Sequence, residues 1–511
     1  MDEKEYIVSL KKGVDYNQFN QEMIASTGAG EIPDRTVDVA NPRPVSQRNT
    51  HYALTKDEAT TLRSDSRVID VEIPPQDRDD IEIGLHARQS GNFTKTSSDS
   101  GSYLNWGMRR CIDKTNSAYG TGTSTSGDYT YHLDGTGVDV VIQDTGIQID
   151  HPEFNDTNGY TRTYGIDWYD ESGVTGSQNA NHYRDYDGHG THVAGTAAGL
   201  TYGWAKNAKI YSVKVGGLEG GGDTGTGISI SDCFDVIKGW HNNKSIDPNT
   251  GYKRPTIVNM SWGYGSYFTN IISGKYRGTT WYGTSRDTSK GMVGSWTGSS
   301  YRFVVRVASV DVDVEELTDA GVHVCVAAGN SYQKIAVPAG NDYDNYFVNI
   351  SFQTKYYNRG GSPTGDDCNV VGNIDRVTHG GGLEQKATSS ENGPGVSIWA
   401  PGTNIMSSFS TTNNHSDGTY PGNSNYKIGN ISGTSMASPQ VCGVGALMLQ
   451  ANPHATPAQL KAYITAQSRS ARLYSTGNDD DYADSRSIKG GHNRFLYNTF
   501  SSEFGVRIIN S

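Results

Sequence analysis

No stretch of this chain approaches the ~18 consecutive apolar residues that would mark a membrane-spanning helix, so a membrane partner is not expected. Cysteine is scarce. Its five copies (Cys111, Cys233, Cys325, Cys368, Cys442) are widely spaced and odd in number, and no two stand at a metal or redox spacing. That excludes a disulfide-framework fold and leaves mostly buried free thiols, with at most a bridge or two. Basic charge is also short, 43 Lys and Arg against 55 Asp and Glu. The net −12 argues against nucleic acid as a main partner. The chain opens Met1-Asp2-Glu3-Lys4-Glu5, with no apolar segment that could serve as a secretion signal.

What is present is glycine (62) and tyrosine (31), the composition of a loop-rich chain with many tight turns. An apolar fraction of 34% is enough for a core, and 511 residues suggest one large domain plus a smaller one. Residues 1–76 read as the smaller, an α+β unit. Strands are expected at Tyr6–Leu10, Tyr52–Leu54 and Val68–Ile73, and helices over 15–26 and from Thr55 to Leu62. Thr55 and Glu58 have capping-box spacing, and Pro74-Pro75 ends the last strand. Residues 77–103 are polar, then rich in Gly, Ser and Thr, and read as an exposed linker that a protease would cut.

The large domain, 104–511, alternates strands and helices, the pattern of a mainly parallel sheet covered by helices. Three blocks in it carry chemistry. The apolar run Val138–Gln143 ends in Asp144-Thr145-Gly146, a carboxylate at the end of a buried strand, where open α/β sheets place their sites. Standing alone it would read as a turn aspartate. Asp187-Gly188-His189-Gly190-Thr191-His192 offers two histidines three apart, but no third and fourth ligand at a zinc spacing. His189 is therefore the better general base and His192 a packed structural histidine. Gly433-Thr434-Ser435-Met436-Ala437-Ser438-Pro439 sets a serine among small residues at a helix start, where negative charge is stabilised. Two further stretches look inserted, 264–305, rich in Tyr, Gly, Ser and Trp, and 353–386, rich in Gly and Asp. They read as surface loops or binding surfaces. Asp479-Asp480-Asp481 reads as a solvated loop rather than a calcium site.

Together, in this order, the three blocks resemble the signatures of the subtilisin-like serine proteases. Asp144-Thr145-Gly146-Ile147, His151-Pro152-Glu153-Phe154 and Thr201–Lys206 are similar to the proteinase K branch. The resemblance implies a mostly parallel sheet between helices, preceded by a small ferredoxin-like propeptide. It implies a serine endopeptidase with Asp144, His189 and Ser435 as triad, made as a self-processing zymogen that its own propeptide inhibits. Asn330, in Ala328-Gly329-Asn330, and the Ser435 backbone N–H would form the oxyanion hole. Ser261, Trp262 and Gly263 would pair with a protein or peptide substrate, opposite a strand at 222–226. The chemistry needs no cofactor. Structural calcium stays open, since Val337-Pro338-Ala339 matches part of the branch's strong site while the anchoring aspartate has no counterpart after Val348-Asn349-Ile350-Ser351. The compartment stays open between export with the signal removed, an intracellular enzyme and a virion-associated one. The rival function is a structural or binding protein of an assembly that keeps the fold and docks a partner through the aromatic insert.

Overall fold

The computed structural model describes residues 3–498 except 26–27, 30–31, 34, 79, 81, 86, 90–102, 113–123, 127–130, 132, 157, 249–250, 285–286, 294–295, 298–299, 414–417 and 478–481. The acidic triplet Asp479-Asp480-Asp481 and the latter part of the expected linker thus lie outside the described residues.

The N-terminal unit pairs four strands antiparallel in the order Val39–Asn41, Asn49–Leu54, Lys4–Leu10, Val68–Glu72. Helices Tyr16–Ile24 and Lys56–Leu62 complete a βαββαβ succession with the first and third strands central, the ferredoxin-like arrangement. At the second helix, Thr55 Oγ1 accepts from the Glu58 N–H (3.3 Å) and Glu58 Oε2 accepts from the Thr55 N–H (2.7 Å). Alternation along the strands turns Val8, Leu10, Tyr52 and Leu54 onto Phe19, Met23 and Leu62 to form the unit's own core.

The unit docks on two helices of the large domain, Ile230–Asn243 and Ala308–Asp319. Arg43, 1% exposed, joins Asp235 on one helix (2.9 Å) to Asp313 on the other (2.9 Å). Asn49 Nδ2 also donates to Asp313 (2.8 Å) and to the Ser309 carbonyl (3.1 Å). The helix Ala308–Asp319 has no side-chain cap of its own, because its cap position is Val307. Glu72 supplies one from the other domain, accepting the Ser309 N–H at 2.9 Å.

The large domain is built on an eight-stranded, mostly parallel sheet. Its order is Lys209–Lys214, Asp139–Asp144, Thr256–Met260, His323–Ala327, Asn369–Ile374, Ile398–Pro401, Arg494–Phe495, Arg469–Ser470. After Asp139–Asp144 the chain adds a strand on one side and then crosses to the other, so a topological switch point lies beside that strand. All six of its residues are buried, and its polar ones are paired. Asp139 meets Arg254 (2.7 Å) and Lys244 (2.6 Å), and Gln143 accepts from the Trp262 indole (3.2 Å). The helices His189–Ala198 and Thr434–Ala451 pack on each other over this sheet. A Cβ at Gly443 would stand 2.5 Å from the Ala197 carbonyl oxygen, so only glycine permits that approach. All five cysteines are buried and free.

Three expectations are corrected here. The 353–386 stretch is not one insert, since Asn369–Ile374 within it is a fully buried strand in the middle of the sheet. The 264–305 stretch is not loop. Strands Trp262–Thr269, Ile271–Tyr276, Thr279–Tyr282 and Ser300–Val304 wrap an aromatic core of Phe268, Trp281, Tyr301, Phe303, Phe347 and Tyr357. The linker is not a bare exposed tether either. Its described part contains strands Glu82–Leu85 and Ala87–Gln89, both hydrogen-bonded to the large domain.

Arg43→Ala leaves two buried carboxylates facing each other without a cation, a loss of about 3–5 kcal/mol for a broken buried pair. In a Ser435→Ala background the expected outcome is that the N-terminal unit undocks at lower urea than in Ser435→Ala alone, read by tryptophan fluorescence and limited proteolysis.

Candidate active site

The parallel ladder sets the site. Gln143 is level with Met260, and Met260 with Val326, so the three strands end together. Asp144, Ser261 and the turn Ala328-Gly329-Asn330 therefore stand side by side at one edge.

Asp144 Oδ1 lies 2.6 Å from His189 Nδ1 and also accepts the Thr145 N–H (2.8 Å), with both side chains buried. His189 opens its helix, and the preceding loop is tightly fixed. Asp187 caps the His189 N–H (3.2 Å). Asp185, fully buried, accepts from the Thr145 hydroxyl (2.8 Å), the Gly188 N–H (2.8 Å), and the N–H and hydroxyl of Thr191 (2.8 and 2.5 Å). Gly190 has no room for a side chain, because a Cβ would come within 2.1 Å of the Gly146 carbonyl oxygen. Burial works against a charge on the His189 ring. The Asp144 charge and hydrogen bond, helped by Asp187 and Asp185, outweigh it and raise its pKa above the ordinary value. His192 is buried with Nε2 2.8 Å from the Ile405 carbonyl oxygen, a packing role.

Ser435 is the second residue of Thr434–Ala451, so its N–H belongs to the first turn, where helix geometry supplies no acceptor. Pro439 lies inside the same helix and cannot donate to the Ser435 carbonyl four residues back. Ser261 Oγ donates to that carbonyl instead (3.2 Å), and Ser435 Oγ donates to the Ser261 carbonyl (3.1 Å). Asn259 holds the arrangement, donating to Ser261 Oγ (2.8 Å) and accepting from Ser438 Oγ (2.7 Å). Thr434 ties the helix start to the next strand. Its N–H and hydroxyl donate to Asn330 Oδ1 (3.0 and 3.2 Å), and its hydroxyl accepts the Gly329 N–H (3.0 Å). With Oδ1 so engaged, the amide nitrogen of Asn330 occupies the other branch.

Asp144 and His189 are thus in direct contact. Ser435 is held on Ser261, and Asn330 on Thr434. The stretch Ser261-Trp262-Gly263 presents backbone rather than side chains. Ser261 is occupied as above, and the Trp262 ring is fully buried against Phe234 and Tyr264. Residues 222–226 form turns, not the expected opposite strand. Asp185, Asn259 and Thr434 carry positioning roles that no motif spacing announced.

A model of the subtilase family matches residues 135–504. The chain belongs to the subtilase family. Its similar relatives include a subtilisin-like protease of Coccidioides posadasii, 28% identical over 350 residues, 68% of this chain and 51% of that protein. Another is the subtilisin-like serine protease Cur l 4.0101 of Cochliobolus lunatus, 28% identical over 373 residues, 73% of this chain and 54% of that protein. The chain spans about half the length of these two relatives. A solved cold-adapted subtilisin-like serine proteinase is 24% identical, covering 77% of this chain and 97% of its own, with a TM-score of 0.46.

Among the described residues, no group of three or more His, Cys, Asp or Glu side chains is arranged to hold a metal ion. Where this subtilase resembles the branch's strong calcium site, the donors do not fit. The Val337 carbonyl accepts the Gly340 N–H (2.7 Å), and Asn349 Oδ1 accepts the N–H groups of Ser351 and Gln353 (3.0 Å each).

A base with a raised pKa is neutral only at higher pH. The acid limb of kcat/KM should therefore fall above the ordinary histidine value of ~6.5. Asp144→Asn should move that limb to lower pH and cut kcat by roughly 10⁴. A pH–rate profile on a small peptide ester reads both effects.

Proposed function

We propose that this subtilase is a serine endopeptidase, made as a zymogen, that hydrolyses peptide bonds of protein substrates through Asp144, His189 and Ser435. The observation that carries the reading is the buried 2.6 Å contact between His189 and Asp144 at the same sheet edge that holds Ser435.

The chemistry follows from the groups present. Ser435 Oγ becomes nucleophilic when His189 Nε2 removes its proton, and Asp144 keeps the ring in the tautomer that leaves Nε2 able to do so. Among the described residues Nε2 has no hydrogen-bond partner, and Oγ is turned to the Ser261 carbonyl. Substrate binding therefore includes a rotation of Oγ from that carbonyl to the histidine, as catalytic bonds often tighten only in the complex. Attack gives a tetrahedral oxyanion, received by the Ser435 N–H and the Asn330 amide. His189 returns the proton to the leaving amine, and water resolves the acyl-enzyme. The N-terminal unit serves as inhibitor, a role supported by its docking through Arg43, Asn49 and Glu72.

The test is peptide hydrolysis by the full chain beside Ser435→Ala and Asn330→Ala, with fluorophosphonate labelling. Wild type is expected to label at Ser435 and to hydrolyse protein and peptide substrates, and Ser435→Ala to do neither. Asn330→Ala should lose ~10²–10³ in kcat with KM little changed. A wild type that neither labels nor hydrolyses would overturn the proposal.

A further inference from the structure

We infer that the bond this subtilase cuts in its own chain is the one joining residue 86 to Ala87. The inference rests on the serine-protease reading above and adds the site of cleavage.

Two short strands flank that bond, and each is paired to a different wall of the active site. On the upstream side, Glu82–Leu85 runs antiparallel to Trp262–Thr269, with Ile83 opposite Tyr264, Gly84 opposite Gly263 and Leu85 opposite Trp262. One step further along the partner strand is Ser261, whose carbonyl holds Ser435 Oγ. On the downstream side, Ala87–Gln89 runs antiparallel to the end of Asn423–Gly433, with Ala87 opposite Gly433, Arg88 opposite Ser432 and Gln89 opposite Ile431. Gly433 is followed directly by Thr434 and Ser435. The chain thus arrives at the nucleophile along one wall and leaves along the other, and a single residue of sequence, His86, separates the two ladders.

The register selects the bond. Antiparallel counting from Leu85 assigns residue 86 to Ser261, and counting back from Ala87 assigns it to Thr434, the residue before Ser435. The carbonyl joined to the Ala87 nitrogen is therefore the one assigned to the nucleophile and to the N–H groups of the serine helix. The strands on either side of the bond are each held by pairing, which orients the two flanks for attack by the serine. Both ladders lie within one chain, so the cut is unimolecular.

The step balances. Ser435 Oγ adds to the carbonyl carbon of residue 86 while His189 takes its proton. The C–N bond to Ala87 then breaks, and the proton passes to the Ala87 nitrogen. One water hydrolyses the ester, leaving a carboxylate on His86, a free amine on Ala87 and Ser435 restored. The sequence Gly84-Leu85-His86 before the bond and Ala87-Arg88-Gln89 after it is then one that the cleft accepts.

The experiment follows the purified full chain, wild type and Ser435→Ala, by intact mass and N-terminal sequencing over a range of concentrations, with fluorophosphonate labelling of Ser435 alongside. The expected result is a new N-terminus at Ala87 in wild type only, at a first-order rate independent of protein concentration. Ala87→Pro, which removes the N–H and constrains the backbone, should slow that cut roughly hundredfold or more. A Ser435-dependent cut at any other bond overturns the inference and leaves the protease reading standing. So does a chain that labels at Ser435 yet stays whole. A chain that stays whole and does not label removes both.

Discussion

The start of the serine helix is pinned to the ends of two parallel strands, and the site depends on that pinning. Pro439 withholds a hydrogen bond that an ordinary helix would make, and the vacancy is filled from Ser261 on the neighbouring strand. Thr434 makes the matching connection to Gly329 and Asn330 on the strand beyond. The Ser435 backbone and the Asn330 amide are therefore set together through Thr434. A shift of the helix along the sheet would disturb both at once, so their relative placement is fixed by the sheet's register rather than by the long loops.

Much of this was legible in the sequence because close approach demands particular residues. Gly190 has to be glycine under the Gly146 carbonyl, and the helices His189–Ala198 and Thr434–Ala451 need small residues where they cross. Such demands leave local signatures. The capping box at Thr55 and the apolar strand ending at Asp144 are local in the same sense. What stayed hidden depends on partners far along the chain. Asp185 has the look of any loop aspartate until Thr145 and Thr191 fold onto it. Asn259 could have been noticed as a polar residue inside an apolar strand, but its purpose lies with Ser261 and Ser438.

The misplaced insert has the same origin. Asn369–Ile374 contains Asn and Gly and is flanked by glycines and aspartates, so composition argued for a loop, yet both neighbouring strands bury it. Propensity on a central strand yields to packing on both faces. The tyrosine- and tryptophan-rich stretch fails for the opposite reason. Its rings suggested a surface for others, but Phe268, Trp281, Tyr301 and Phe303 pack around Phe347 between two small sheets. Trp262 turns its ring inward in the same way, which leaves the strand's backbone as the part that a partner chain can meet.

The cap that Glu72 places on Ala308–Asp319 has a different consequence. While the chain is continuous, donor and acceptor share one molecule, and the contact forms at an effective concentration set by the tether, whatever the protein concentration. Were the tether cut, the same contact would become a second-order equilibrium governed by mass action. Dilution would then be a variable for a helix end that is indifferent to it in the continuous chain. The geometry of the contact need not change for its occupancy to do so.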